Sequence, residues 1–419
     1  MTRDERQNLA IKRWVEAKGK GVIIATTGLG KTRIALKIIK LLQSKKDSLK
    51  IKILVPTIIL KEQWKEEIKK FNLKEDFISV EVMMGSCTVK DSCDLLILDE
   101  LHLAYSEHIS AVFQNISYKY ILGLTATIER LDGREKLFEH YAPICDRISV
   151  KECLDNGWIA PFKEYLVLIN VPDLEDYKKL NKDFTTVFEF FDFDFNLAMS
   201  CIGPKGVFNC LKLRDKLCPY NATNKQKADM LKLVKLKALQ FTRILQKRKA
   251  FIANHPKKIE IAQKIINARQ DKKIVTFSKT IKMAEKIPTK YIYTGDKGTK
   301  NNKRTLETFN SLSSGVLSTS KMAVQGLDCP DISVGICLDV DSSTITAIQK
   351  LGRCVRFVKD KQAEFFTIVI NNCVEVQWWQ KSHTGSPNTI KIDEEGLDQV
   401  LKGETPREIK NLQNYQFRW

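Results

Sequence analysis

Short apolar runs alternate with segments of helical spacing in two separate stretches of the chain. In the first, residues 21–25, 51–55, 77–83, 95–98 and 120–124 read as strands, while 33–42 and 58–71 place apolar side chains at helical intervals. A second alternating stretch starts near Lys272, with strands at 273–277, 292–293, 315–318, 334–338 and 365–370. Strands that alternate with helices predict a parallel sheet with right-handed crossovers, here twice in tandem. Between the two, about 173–255 reads as helical and basic. There Lys225, Lys227, Lys232, Lys235, Lys237, Arg243, Lys247, Arg248 and Lys249 sit among Leu231, Val234, Leu236, Leu239 and Leu245. That pattern reads either as an amphipathic helix with a solvated face or as the lining of a nucleic-acid path. The six phenylalanines of 184–195 read as packing between helices rather than a stacking platform. The expected division is 1–150, 151–375 with the helical basic insertion, and a helical tail at 376–419. The fold class is α/β.

The first strand runs into Ala25-Thr26-Thr27-Gly28-Leu29-Gly30-Lys31-Thr32 and then a helix. Strand, glycine loop and helix in this order form a phosphate cradle, because loop N–H groups and the helix N-terminus converge on one spot. Thr27, Gly28, Leu29 and Gly30 would surround the phosphates of a nucleotide, Lys31 would reach them, and the Thr32 hydroxyl would coordinate Mg²⁺. Ala25 stands where the strict motif has glycine. Downstream, the apolar run 95–98 ends in Asp99-Glu100-Leu101-His102. A carboxylate at the end of a buried strand lies where ligands bind in an open α/β sheet. Asp99 can hold Mg²⁺ and Glu100 can polarise an attacking water. Together the two motifs predict hydrolysis of ATP with Mg²⁺.

Composition narrows the partners. With 419 residues the chain exceeds one ordinary core. Its formal net charge of +19 favours a polyanion, since phosphate contacts release counterions. No apolar stretch approaches the ~20 residues of a membrane span, and Met1–Gln7 lacks the apolar core of a signal peptide. Eleven cysteines, an odd number without a CxxC pair, suggest free thiols in a reducing compartment. Cytoplasm is therefore the expected location, or host cytoplasm for a viral protein.

In its order of motifs the chain resembles the superfamily 2 DExH-box helicases, over about Gln7 to Ile370. Alanine in the Ala25 position is common in that group. Val55–Trp64 is similar to its backbone-contacting motif, Asp99–His102 to its DExH box, and Gly123–Gly133 to its Thr-Ala-Thr coupling motif with a downstream Arg-x-Asp-Gly. Val275–Ser278, Ser318–Pro330 and Gln349–Arg356 resemble motifs of its second domain. Gly157–Pro161, Glu375 and Trp378 resemble the UvsW-like, XPB-like and RecG-like DNA helicases. The resemblance implies two RecA-like domains facing each other across the nucleotide. It implies adenine recognition by Gln7, although Asp4 replaces the arginine usually found three residues earlier, with Arg3 and Arg6 flanking. Gly326 and Asp328 would lie near the γ-phosphate. Gln349, Arg353 and Arg356 would complete the catalytic site, the arginines supplying a finger. His102, Thr125 and Thr127 would couple the ATP site to nucleic acid, which Pro56, Thr57, Gln63, Ser278 and Thr319 would touch. The implied activity is an ATP-dependent DNA helicase or translocase, monomeric and compact enough for a virus, remodelling branched or duplex DNA beside replication, recombination or repair proteins. An RNA helicase or transcript-release factor, and the motor subunit of a restriction system, remain alternatives. Intact Lys31, Asp99, Glu100 and Arg356 argue against a catalytically silent clamp.

Overall fold

The computed structural model describes residues 1–412 apart from Thr27, Asp47, 107–108, 128–135, 137–138, Pro204, 321–328, Pro330, 341–350, 353–361, 384–388 and Asn411. The first sheet consists of β1 (Lys20–Ala25), β2 (Ile51–Val55), β3 (Ile78–Val82), β4 (Asp91–Asp99), β5 (Ile116–Thr125) and β6 (Ile144–Ile148). Their order across the sheet is β3-β2-β4-β5-β1-β6, with every pairing parallel. Both faces are apolar. Ile23, Ala25, Ile53, Ile97 and Leu124 pack to one side, and Val22, Ile24, Leu54, Leu98 and Ile121 to the other. Period-two alternation with two apolar faces is what a doubly covered parallel sheet requires.

Three helices matter for the site. Helix α1 (Arg3–Glu16) starts with a capping box between Thr2 and Glu5 and buries Ala10 and Trp14. Helix α2 (Lys31–Gln43) follows the glycine loop. Helix α3 (Ile58–Lys70) is capped by Thr57, whose hydroxyl accepts from the Leu60 N–H at 3.3 Å. A buried ion-pair cluster ties α1 to the sheet edge. Arg6 donates to Asp146 of β6 at 2.6 Å and to Glu152 at 2.5 Å, and Arg13 also bonds Asp146.

The second sheet consists of β7 (Phe162–Ile169), β8 (Lys273–Ser278), β9 (Tyr291–Tyr293), β10 (Gly315–Ser320), β11 (Val334–Cys337), β12 (Ala363–Ile370) and β13 (Thr389–Ile392). Its order is β13-β7-β12-β11-β8-β10-β9, again with every pairing parallel. Two of its members, β7 and β13, were not foreseen. The segment read as a helical tail holds the helices Val374–Ser382 and Glu394–Leu401, and between them the strand β13, which pairs with β7. Behind this sheet Lys258 and Glu375, both fully buried, form an ion pair at 2.5 Å. Lys258 also donates to the Leu338 carbonyl, and Glu375 accepts the Ile370 N–H.

Between β7 and β8 runs the insertion, with helices Leu174–Glu189, Phe195–Ser200, Gly206–Leu217 and Asn224–Ala253. Phe184, Phe188 and Phe191 are buried around Phe241 of the long helix. The aromatic stretch is thus mainly inter-helix packing; only Phe193 and Phe195 keep substantial exposure. Among the described residues no helix is long and apolar enough to cross a membrane.

Candidate active site

Sheet order alone assembles the site. β5 lies between β1 and β4, with Ile24 opposite Thr125 and Asp99 opposite Leu124. The three strands therefore end level, and the Lys31 loop, the Asp99–Glu100 turn and the Thr125–Thr127 turn emerge side by side. Gly28 and Gly30 take φ of +94° and +95°, which a side chain rarely adopts. Space is tight there as well: a Cβ on Gly30 would lie 3.0 Å from Gln7 Nε2 and 3.3 Å from Arg3 Nη2, so those side-chain ends would have to give way by a few tenths of an ångström. The Lys31 ammonium rests 3.4 Å from the Ala25 carbonyl.

Arg3 and Gln7, one helical turn apart on α1, both face the loop. Arg3 Nε and Gln7 Nε2 each donate to the Leu29 carbonyl at 2.9 Å, and Arg3 also donates to the Gly28 carbonyl. Gln7 Oε1 is buried without a hydrogen-bond partner. Of the two arginines flanking Asp4, Arg3 serves the loop, while Arg6 is committed to Asp146 and Glu152.

Asp99 is buried, and burial, reinforced by the neighbouring Glu100 charge, pushes its carboxyl up to about 6. Opposing this, the Trp64 indole N–H donates to Oδ2 at 2.8 Å, Lys31 adds positive potential, and the Glu100 N–H donates to Oδ1 at 3.1 Å. A buried carboxylate held only by neutral donors fits a divalent cation, which would supply the missing positive charge. Glu100 itself sits at φ +53°, a left-handed backbone that costs a non-glycine residue ~1–2 kcal/mol. Its Oε2 is buried without a hydrogen bond, 3.4 Å from His102 Nδ1.

His102 Nδ1 lies 3.1 Å from Thr125 Oγ1. The Thr125 hydroxyl donates to the Thr127 carbonyl at 2.5 Å, so its proton is committed and Oγ1 must accept from His102. That network assigns the hydrogen to Nδ1. The three coupling residues are therefore in mutual contact.

The nucleic-acid candidates divide. Pro56 and Thr57 are half-buried at the start of α3, and Gln63 is half-buried within it. Ser278, at the end of β8, has a buried hydroxyl without a hydrogen-bond partner. Thr319 is different: it is fully buried, and its hydroxyl donates to the Thr276 carbonyl at 2.7 Å. Its side chain is thus committed within the second sheet in this structure. Thr27, Gly326, Asp328, Gln349, Arg353 and Arg356 lie outside the described residues. Leu351, two residues before Arg353, packs against the apolar clusters of both sheets, and Ile59 of α3 packs against the second.

Sequence reasoning missed Arg3 and Trp64. Arg3 carried a signal in its i, i+4 relation to Gln7. Trp64 shares a buried stripe with Ile68 and reads as core; only the need of a buried indole N–H for an acceptor hinted at more.

Residues 1–94 and 86–130 match the family described as "Type III restriction enzyme, res subunit", and 257–358 match "Helicase conserved C-terminal domain". The chain is 29% identical over 395 residues to the DNA 3'-5' translocase XPB2 of Sulfurisphaera tokodaii, spanning 86% of this chain and 80% of that protein. Among solved structures, S. cerevisiae Dbp5 bound to RNA and ADP BeF3 superposes with a TM-score of 0.58 at 12% identity, over 94% of this chain and 91% of that one. The ATP-dependent Type ISP restriction-modification enzyme LlaBIII bound to DNA gives 0.51 at 14% identity, over 90% of this chain and 29% of that one. At such identities both are likenesses of fold.

Proposed function

The chain belongs to the superfamily 2 helicases, ATP-dependent enzymes, and from that premise we propose a DNA translocase that remodels branched or duplex DNA in replication, recombination or repair. The observation that carries this reading is the convergence of the Lys31 loop and the Asp99–Glu100 turn at the C-terminal ends of the interior strands β1 and β4, beside the His102–Thr125 contact.

In this reading the loop N–H groups from Thr27 to Gly30 hold the phosphates and Lys31 reaches between them. The unpartnered Gln7 Oε1 accepts from the exocyclic amine of adenine. Thr32 and Asp99 are the residues that would hold Mg²⁺, which when bound neutralises charge on the phosphates. Glu100 orients the attacking water and takes its proton. Arg353 and Arg356, with Gln349, belong to the second domain's stretch of sequence and would complete the site from there, and an arginine finger of this kind contributes ~10³–10⁵ in rate. Gly326 and Asp328 approach the same phosphate. Pro56, Thr57, Gln63 and Ser278 line the DNA path, and the two domains, 1–150 and 151–375, grip it alternately as they close and open. The protein works as a monomer in the cytoplasm, or in a host's if it is viral.

DNA-stimulated ATP hydrolysis tests the proposal, and Lys31→Ala should abolish turnover while DNA is still bound. DNA binding by the wild type without any hydrolysis would sink it. Stimulation by RNA alone would transfer the reading to an RNA helicase, because only a 2′-hydroxyl separates the two ligands along a backbone grip. Copurification with a nuclease or methylase would favour a restriction motor.

A further inference from the structure

Asp99 is held from an unexpected direction. Its Oδ2 accepts the indole N–H of Trp64 at 2.8 Å, and both residues are buried, Trp64 at 2% exposure and Asp99 at 7%. Trp64 lies in the middle of α3, the helix that follows Pro56 and its cap Thr57 and whose Ile59 packs against the apolar cluster of the second sheet. Resting on the functional reading above, we propose that Trp64 is a positioning residue: its N–H fixes the rotation of the Asp99 carboxylate for Mg²⁺ and links that carboxylate to the helix that meets DNA and the second domain.

The chemistry suits the task. An indole N–H is a donor only; it has no lone pair to compete for the cation and no charge to cancel that of Asp99. A lysine or arginine in its place would neutralise the carboxylate. The ring is rigid and locked in the core beside Ile68, so the donor cannot follow Asp99 if the carboxylate rotates. The Glu100 N–H on Oδ1 at 3.1 Å supplies the second restraint, and lone pairs on both oxygens remain free for a cation. Groups that orient a metal ligand in this manner typically change metal affinity or activity 10–100-fold when removed. Because α3 is a single rigid element, a shift at Thr57 or Ile59 is transmitted to the indole, five residues on from Ile59.

Equilibrium binding of a fluorescent ADP analogue, measured with and without Mg²⁺, tests the assignment without relying on turnover. Trp64→Phe keeps the packing and deletes the donor. The tightening produced by Mg²⁺ should shrink by about 10–100-fold, with Mg²⁺-free affinity at the wild-type value, and the substitution should have no further effect in an Asp99→Ala background. If Trp64→Phe fails to fold by circular dichroism, benzothienylalanine at position 64 decides, since it keeps the bicyclic shape and lacks the N–H. An unchanged Mg²⁺ effect would overturn the proposal, as would an equal loss of Mg²⁺-free affinity, which would make Trp64 a packing residue. A wild type that gains nothing from Mg²⁺ would instead overturn the functional reading on which the proposal rests.

Discussion

The left-handed φ of Glu100 and its unbonded Oε2 are two costs carried by one residue, beside a carboxylate already raised by burial. Strain of this kind persists where the surroundings over-determine it, which is common at functional turns. Glu100→Gln should therefore lower kcat by about 10²–10⁴ with little change in KM, as expected for loss of a general base. Glu100→Gly should also lose hydrolysis but raise unfolding stability by about 0.5–1 kcal/mol, because glycine accepts the backbone and the repulsion with Asp99 disappears. Denaturant unfolding beside steady-state ATPase separates the two effects. Gln7 makes a second prediction at this scale. Its Oε1 has no partner within the protein, so Gln7→Ala should weaken discrimination of ATP from GTP by about tenfold, the worth of one hydrogen bond of about 1–1.5 kcal/mol. Equal weakening toward both nucleotides would remove adenine recognition from Gln7. At the residue scale the phosphate loop and the acidic turn were legible because their chemistry is local. The Trp64 bond to Asp99 was not, because it joins residues 35 positions apart that strand order alone brings together.

Which elements could be foreseen depended on how polar their buried positions are. The strands that lead into the phosphate loop and the acidic turn end in continuous apolar runs, 21–25 and 95–98, whereas β6 carries buried Asp146 and β7 carries buried Glu164, each compensated from elsewhere in the chain. Asp146 is paired with Arg6, and Glu164 with His383 at 3.1 Å and with the Thr389 hydroxyl. Those carboxylates interrupt the hydrophobic pattern, and β7 joins β12 across almost 200 residues of sequence. In the first sheet, Lys52 of β2 pairs with Asp91 of β4 at 2.6 Å and with Glu81 of the edge strand β3 at 2.8 Å. Lys52, with the Ser92 N–H and Lys50, holds the Asp91 carboxyl well below the usual carboxylate range. A depressed carboxylate adds stability that is complete above its unfolded pKa, about 3.9, and lost as pH falls through the folded value. Lys52→Met should flatten that decline below about pH 4. At pH 7 it should cost about 1–2 kcal/mol, less than for a fully buried pair because both acids keep contact with water. Chemical denaturation across pH 2–7 reads both. In the insertion, Phe241→Ala should destabilise the helices between 174 and 253 by about 3–5 kcal/mol, since Phe241 is fully buried among Phe184, Phe188 and Phe191. Hydrogen exchange should rise there first and leave the two sheets protected.

At the scale of the whole molecule, a net charge of +19 and two sheets that meet through a few apolar side chains set what closure can do. Leu351 is the informative position. It packs against the cluster that includes Ala25, Leu29 and Trp64 and also against the one that includes Val275 and Phe277, while Ile59 reaches the second cluster from α3. Every residue assigned to holding the nucleotide's base, and most of those on its phosphates, lies in the first sheet's half of the chain; the arginines lie two and five residues beyond Leu351. Leu351→Ser should thus leave the affinity for ADP nearly intact and lower DNA-stimulated kcat by up to about 10²-fold, the scale of a misplacement of about 1 Å in a catalytic group. The effect on DNA binding should be small, because that grip comes from phosphate contacts whose salt dependence is set by charge, with a slope of ~0.9 per contact in a log–log plot. A variant that loses nucleotide affinity with kcat preserved would mean that Leu351 supports the first sheet's fold alone. A parallel fall in the salt slope would mean that it shapes the DNA path. Only a loss confined to kcat fits a contact whose function is to bring the second lobe's arginines to phosphates bound on the first.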